Sequence, residues 1–181
     1  PPGVGKTTLA RIIANELERP FYTLSAVTSG VKEVRDIIEK AKQTKALMLN
    51  FGQQNEIQKS KNQQGSPILF IDEIHRFSKS QQDSLLGAVE EGVVTLIGAT
   101  TENPYISMTR AIVSRCKVFE FKPLSVKDVS CAITRALKDK EKGLGNLNVE
   151  ISDDDIKFLA FNCSGDLRSC FNALEFAVTT T

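Results

Sequence analysis

The chain begins with a pattern that binds phosphate groups. Its first residues read PPGVGKTT, the pattern G-x-x-x-x-G-K-[ST] without its first glycine. Such a loop holds a nucleoside triphosphate as its magnesium complex, because backbone N–H groups surround the phosphates and the next helix adds partial positive charge. Lys6 is expected to reach the β- and γ-phosphates, and the Thr7 hydroxyl to bind Mg²⁺. The phosphate-binding residues are predicted to be Pro2, Gly3, Val4, Gly5, Lys6, Thr7 and Thr8.

An acidic pair follows an apolar run further along the chain. Pro67–Ile71 is predicted to be a strand buried on both faces, and Asp72 and Glu73 come directly after it. Open α/β sheets bind ligands at the carboxyl ends of their strands. Asp72 is expected to hold Mg²⁺ through its water shell, and Glu73 to polarise an attacking water. The glutamate favours hydrolysis over transfer to a small acceptor, because water needs an orienting base. A solvated turn is the alternative.

Hydroxyl groups follow the next predicted strand, in the run Gly98-Ala99-Thr100-Thr101. A hydroxyl there could sense the γ-phosphate or orient the water, with Thr101 the first choice and Thr100 the second. His75 completes the run Asp-Glu-Ile-His, which is similar to a helicase motif. A coupling role for His75 and an ordinary polar residue beside the site both remain open.

Two arginines occupy positions from which they could act on phosphate. Arg115 precedes the last predicted strand, and Arg168 lies at the start of the last predicted helix. A guanidinium group neutralises developing phosphoryl charge, and such a residue is worth roughly 10³–10⁵ in rate. Each arginine could instead be an ordinary surface residue.

The elements that must position these residues follow from apolar spacing. Strands separated by helical segments predict a parallel α/β sheet with flanking helices. Residues 123–181 are purely helical in pattern, so a small α-helical domain is expected to follow an α/β domain at residues 1–122. The predicted strands are Phe21–Leu24, Pro67–Ile71, Val93–Ile97 and Val118–Phe121. The predicted helices run to about Arg19, over Val34–Ala41, around Gln81–Glu90, and from the capping sequences at Ser125 and Ser152.

Residues 50–66 interrupt the α/β pattern. They are rich in Asn and Gln and bury little apolar area, so we expect a surface insertion. A hairpin that contacts nucleic acid is the alternative.

Composition sets limits on partners and environment. The chain has 181 residues, 41% of them hydrophobic, and a formal net charge of +1. No strong global field draws it to nucleic acid or to an anionic membrane, so DNA contact would need a local patch or assembly. No membrane-spanning segment or signal peptide is visible. The four cysteines lack the spacing of a zinc site, which indicates a cytoplasmic protein with reduced thiols.

Since the strand that precedes a P-loop would lie upstream of Pro1, we expect a fragment.

With these motifs in order, the sequence resembles the AAA+ ATPases, in the branch of clamp loaders and Holliday-junction motors. It is most similar to the family of replication-associated recombination protein A ATPases (RarA/MgsA), whose eukaryotic relatives include the Werner-helicase-interacting ATPase. The resemblance covers nearly all of the chain. The matching stretches are SAVTSGVK at 25–32, residues 72–77, residues 79–83, IGATTENP at 97–104 and SRC at 114–116.

The resemblance implies a role for each matching residue. Lys6 and Thr7 correspond to Walker A, and Asp72 and Glu73 to Walker B. Thr101 corresponds to sensor 1. Arg115 corresponds to the arginine finger that acts on a neighbouring subunit's ATP, and Arg168 to sensor 2 in the lid. The implied cofactors are ATP and Mg²⁺, and the implied fold is a P-loop NTPase sheet followed by a helical lid domain.

The resemblance also implies a DNA-dependent ATPase in replication-fork maintenance and recombination or repair. Its partners would be single-stranded, gapped or fork-like DNA and single-strand-binding protein, with no membrane. The intact protein would be a ring-like homo-oligomer, a tetramer, associated with the nucleoid. The basic residues to test for DNA contact are Lys32, Arg35, Lys59 and Lys61.

Two other functions stay open at this point. The first is an ATP-gated, clamp-loader-like or Holliday-junction-motor subunit whose nucleotide cycle controls assembly on DNA. The second is a metabolic P-loop kinase, which Arg168 and the run Asp72–His75 fit poorly.

Overall fold

The computed structural model describes residues 1–54, 65–147 and 149–180. The chain divides into two compact units. The α/β unit is Lys6–Phe119, and the helical unit is Glu120–Thr181 together with Pro1–Gly5. The assignment of residues 1–122 to a nucleotide-binding domain and of residues 123–181 to a lid stays a prediction.

The α/β unit is built on a parallel sheet of three described strands in the order β1-β2-β3. These are β1 (Phe21–Ser25), β2 (Ile68–Asp72) and β3 (Thr95–Gly98). The central strand, β2, pairs with both neighbours in parallel, as predicted, and its four apolar residues are buried. This burial explains its uninterrupted apolar sequence, since a parallel strand covered on both faces has no solvent side.

Helices cover the sheet, and the alternation of side chains along β2 determines which layer each residue contacts. Leu69 and Ile71 pack in one cluster with Val34 of α2 (Val31–Gln54) and Leu85 of α3 (Lys79–Glu90), whereas Phe70 packs in another with Ala10 of α1 (Lys6–Glu16). The helices of this unit are α1 (Lys6–Glu16), α2 (Val31–Gln54), a 3₁₀ turn (Ile74–Arg76), α3 (Lys79–Glu90), α4 (Pro104–Ser107) and α5 (Arg110–Val113).

One helix is longer than predicted. α2 continues to Gln54, so the first residues of the predicted insertion are helical and not part of a loop. The predicted helix ends at Ala41, but the residues that follow it include the good helix formers Lys, Gln, Ala, Leu and Met, and no Gly or Pro occurs before Gly52, so the helix continues. The rest of the insertion, with Lys59 and Lys61, lies outside the described residues.

The prediction of a last strand at Val118–Phe121 is wrong. Residues 117–123 have no regular secondary structure, and the Phe119 side chain is 72% exposed. A strand needs a hydrogen-bonding neighbour, and the sheet within the described residues contains only the three strands named above. Apolar, β-branched and aromatic composition alone therefore misidentified this segment.

The helical unit contains α6 (Val126–Lys138), α7 (Asp153–Asn162) and α8 (Leu167–Thr180). Its core joins the three helices through Val129 and Ile133, Ala160, and Cys170 and Leu174. The predicted capping sequence at Ser125 forms a full capping box with Asp128. At Ser152, the serine side chain accepts the backbone N–H of Asp155.

The four cysteine thiols are free, and they differ in environment. Cys131 is exposed, whereas Cys170 is buried in the helical core. Burial, with a contribution from the neighbouring Cys163, raises the pKa of the Cys170 thiol to about 12. In the described parts of the chain, no helix combines the length and the apolar character that a membrane crossing requires.

Candidate nucleotide-binding site

The predicted phosphate-binding loop has the backbone conformations that its glycines permit. Gly3 and Gly5 both have positive φ, +63° and +86°. α1 begins directly after them at Lys6, and Thr7 and Thr8 lie in its first turn. The first N–H groups of a helix have no partner within the helix, and α1 has no acidic residue in its first turn. This helix start can therefore accept an anion.

Within the helical unit, Gly3 contacts the segment that opens α8. The Leu167 N–H donates to the Gly3 carbonyl oxygen at 3.2 Å. A Cβ atom at residue 3 would overlap the Asp166 carboxylate, so this contact also requires a glycine.

The acidic pair lies where the sequence predicts it, at the carboxyl end of the central strand. Asp72 is the last residue of β2, and its Oδ1 accepts the backbone N–H of Glu73 at 3.1 Å. Glu73 has the left-handed backbone conformation, with φ 50° and ψ 42°. For a residue other than glycine this costs roughly 1–3 kcal/mol, and such strain concentrates at functional sites.

Thr101 contacts the glutamate directly. Its hydroxyl donates to Glu73 Oε2 at 3.1 Å. Since neighbouring parallel strands end at the same edge, the residues that follow β2 and β3 come together, although 28 positions separate them in sequence. The structure thus brings together Asp72, Glu73 and Thr101.

The other threonine, Thr100, contacts His75. Thr100 Oγ1 lies 2.8 Å from Nδ1 of His75, whose side chain is 8% exposed. The same ring nitrogen lies 3.4 Å from Glu73 Oε2, and Nε2 lies 3.5 Å from Glu102 Oε1. Sequence reasoning did not identify Glu102, although it directly follows the threonine pair.

Arg115 makes its side-chain contacts elsewhere in the α/β unit. Its guanidinium lies 2.5 Å from a carboxylate oxygen of Glu90, at the end of α3. It also donates to the Ala111 carbonyl oxygen at 2.9 Å. The structure therefore does not join Arg115 to the Glu73–Thr101 cluster, and no local sequence signal could have identified Glu90.

Arg168 is exposed in the first turn of α8, in the helical unit. Its backbone N–H donates to Asp166 Oδ1 at 3.0 Å, and the Ser169 N–H donates to the same atom at 3.2 Å. These hydrogen bonds, that of Ser169 first, hold the pKa of the Asp166 carboxyl below its ordinary value. Asp166 therefore caps α8 as a carboxylate.

Two of the basic residues considered for DNA contact lie on α2. Lys32 and Arg35 are both exposed, and their i,i+3 spacing puts them on one face of the helix.

Comparison with known proteins first gives a family match. A model of the ATPase family associated with various cellular activities (AAA) matches residues 1–124, which include all of the α/β unit.

Two curated relatives match nearly the whole chain. The replication-associated recombination protein A of Escherichia coli (strain K12) is 42% identical over 175 residues, which are 97% of this chain and 36% of that protein. The ATPase WRNIP1 of Dictyostelium discoideum is 43% identical over 178 residues, which are 98% of this chain and 18% of that protein. The chain thus spans little more than a third of the bacterial relative.

A solved structure extends the likeness to the backbone. The RuvB Holliday junction branch migration motor of Thermotoga maritima aligns with a TM-score of 0.68 at 28% identity. The alignment covers 95% of this chain and 50% of that chain.

Proposed function

Because the chain belongs to the AAA family of ATPases, which bind ATP with Mg²⁺ and hydrolyse it, we propose that it is the catalytic part of a DNA-dependent ATPase. The activity serves replication-fork maintenance and recombination or repair. This setting rests on the 42% identity to a replication-associated recombination protein.

One observation carries the proposal of hydrolysis: the Glu73 carboxylate is held by the Thr101 hydroxyl beside Asp72, at the end of the central strand. A carboxylate in this position can orient an attacking water and accept its proton, which is the base that hydrolysis needs. Glu73 has a second carboxylate oxygen, Oε1, that is the natural acceptor for the proton of water. Thr101 keeps the carboxylate oriented while that proton moves.

The residues present fit ATP and Mg²⁺. Gly3 and Gly5 have the positive φ angles of a loop that turns N–H groups toward an anion, and α1 begins without an acidic residue. Residues 2–8 would hold the phosphates, with Lys6 on the β- and γ-phosphates. Thr7 and Asp72 would hold the metal. When bound, Mg²⁺ supplies positive charge that offsets the charge of the phosphates.

We propose that both arginines neutralise phosphate charge, each on the nucleotide of a different subunit. Arg115 acts in trans, on ATP bound by the neighbouring subunit of a ring-like homo-oligomer, which is a tetramer in the intact protein. Arg168 acts as sensor 2 on the nucleotide of its own subunit. Support comes from the match of both residues to motifs of the resembled family and from the exposure of both side chains.

The proposed partners are single-stranded, gapped or fork-like DNA and single-strand-binding protein, in the cytoplasm at the nucleoid. Lys32 and Arg35, exposed on one face of α2, are the proposed DNA contacts among the described residues.

The test is steady-state ATP turnover of the full-length protein without DNA, with single-stranded DNA, and with duplexes that carry gaps or ends. We expect one DNA form to stimulate turnover strongly. The control is Glu73→Gln, which keeps the side-chain shape, binds nucleotide, and lowers kcat by roughly 10²-fold or more. Turnover that is equal with every DNA form contradicts DNA dependence, and unchanged kcat in Glu73→Gln contradicts the assignment of the base.

The likeness to RuvB favours one alternative: a clamp-loader-like or Holliday-junction-motor subunit whose nucleotide cycle controls assembly on DNA. The Glu73→Gln variant separates the two functions in cells. If the variant binds ATP and DNA normally and replaces the parent protein fully, turnover is dispensable and the assembly function is correct.

A further inference from the structure

The imidazole of His75 lies between two carboxylates, and only one of them belongs to the predicted site. Nδ1 faces Glu73 Oε2 at 3.4 Å, and Nε2 faces Glu102 Oε1 at 3.5 Å. The ring is nearly buried, at 8% exposure, whereas the Glu102 side chain is 56% exposed. Glu102 therefore contacts the ring from the solvent side.

The hydrogen bonds around Thr100 determine which ring nitrogen carries the proton in the neutral imidazole. Thr100 Oγ1 accepts the Glu102 N–H at 3.0 Å and lies 2.8 Å from Nδ1 but 3.5 Å from the Glu102 carbonyl oxygen, so we assign the hydroxyl hydrogen to the nearer acceptor, Nδ1. Nδ1 is then an acceptor, and the proton lies on Nε2. Nε2 lies 3.5 Å from the Glu102 carboxylate, whose negative charge favours a proton on this nitrogen.

This tautomer has a consequence for Glu73. Because the Nδ1 lone pair is turned toward Thr100, the ring has no proton to attract Glu73 Oε2, whose partner is the Thr101 hydroxyl at 3.1 Å. The opposite tautomer would place an N–H beside Oε2 and compete with Thr101 for it. The protonation site on His75 thus decides which group orients the glutamate.

We propose that Glu102 is a positioning residue for Glu73 that acts through the orientation and tautomer of His75. The inference rests on the proposed function, because it takes Glu73 to be the group that activates water. Glu102 does not touch the reacting atoms, so its effect is on kcat and not on nucleotide affinity.

The first measurement needs no turnover. Long-range ¹H–¹⁵N NMR of the imidazole in the full-length protein at pH 8, where a free imidazole is neutral, reports the tautomer. His75→Gln identifies the signal by its disappearance. We expect the Nε2–H tautomer in the parent protein, a shift toward Nδ1–H in Glu102→Gln, and no shift in the control Glu91→Gln, which changes an exposed glutamate at the end of α3.

The second measurement is kinetic. Glu102→Gln is expected to lower kcat about 10-fold with an unchanged Kd for ATP, since loss of a residue that orients a catalytic group costs roughly 10–100-fold. The double variant His75→Gln/Glu102→Gln is expected to be no slower than His75→Gln alone, because both residues act on one path. Glu91→Gln keeps the parent kcat.

Several results would overturn the inference. These are an Nδ1–H tautomer in the parent, a tautomer that Glu102→Gln leaves unchanged, additive losses in the double variant, or a change in Kd alone. A parent protein without ATPase activity would instead refute the proposed function, and the NMR measurement would still decide the contact between Glu102 and His75.

Discussion

At the scale of single residues, two of the predicted side chains are held by partners from other parts of the chain. Glu73 has a strained backbone and a carboxylate bound by Thr101, and Arg115 has a guanidinium bound by Glu90. Asp72, Glu73 and Thr101 could be predicted as neighbours because each follows a strand that ends at the same edge. Glu90 and Glu102 could not, because their roles depend on side-chain contacts that span 25 and 27 positions and leave no spacing pattern.

The ion pair between Arg115 and Glu90 leads to a prediction about kcat. Both side chains are more than two-fifths exposed, and exposed pairs are worth only about 0–1 kcal/mol, or at most about fivefold in an equilibrium. If Arg115 acts on the nucleotide of a neighbouring subunit, as proposed, its guanidinium can leave this ion pair at little cost. We therefore expect Arg115→Ala to lower kcat about 10³-fold, and Glu90→Gln to raise it by less than about fivefold.

Turnover at saturating ATP, measured over a range of protein concentrations, distinguishes the roles. Activity per subunit should rise with concentration in the parent if Arg115 acts in trans, as proposed. If Glu90→Gln loses as much activity as Arg115→Ala, then Glu90 positions Arg115 for catalysis. The expectation that the ion pair must break for Arg115 to act would then be contradicted.

At the scale of elements, sequence signals worked where the structure is determined locally or by burial. The apolar run before Asp72 predicted the central strand, and Ser125 predicted the start of α6, because each signal is contained in a few consecutive residues. The signal failed at Val118–Phe121, whose state depends on a neighbouring strand. It also failed at the end of α2, where no strong stop residue marks the boundary.

The cap of α8 gives a prediction about pH. Asp166 accepts the N–H groups of Arg168 and Ser169, and its removal in Asp166→Ala should lower the free energy of unfolding by about 1 kcal/mol. Because these bonds lower the pKa of the folded carboxyl, the stabilisation is full above the ordinary value of about 3.9 and is lost as pH falls through the lower folded value. The difference between parent and variant should thus be constant above about pH 5.

Urea unfolding of the full-length protein, followed at several pH values by a probe in the helical unit, measures this difference. Glu175→Ala, at an exposed position in the same helix, serves as the control and should change stability by less than about 0.5 kcal/mol. A difference that persists undiminished to pH 2 would show that the Asp166 carboxylate is not the stabilising group.

At the scale of the whole molecule, membership of the ATPase family was predictable because the motifs occur in a fixed order along nearly the entire chain. That prediction, with its α/β fold and its ATP and Mg²⁺ cofactors, is confirmed by the family match.

Contact with DNA, in contrast, has no comparable signal in the sequence. A net charge of +1 carries no global signal, so only individual basic residues can be tested.

The double variant Lys32→Ala/Arg35→Ala tests the proposed DNA contacts on α2. Each phosphate contact that is lost should make the slope of log K against log salt concentration shallower by about one unit. The double variant Lys138→Ala/Lys140→Ala removes two exposed charges from the helical unit and should leave the slope unchanged. DNA affinities from 50 to 300 mM salt, roughly the range over which such slopes are linear, provide the measurement. An unchanged slope in the first variant excludes this patch.

The hydrogen bond between Leu167 and Gly3 has a consequence for synthesis on the ribosome. It joins positions separated by about 160 residues, and the Asp166 carboxylate lies against the same glycine. Translation adds roughly 5–20 residues per second, so the ribosome makes Gly3 about 8 to 30 seconds before it makes these partners. During that interval Gly3 lacks the neighbours that constrain it in the folded unit. The predicted phosphate-binding loop therefore reaches its folded contacts only after the segment that opens α8 has been translated.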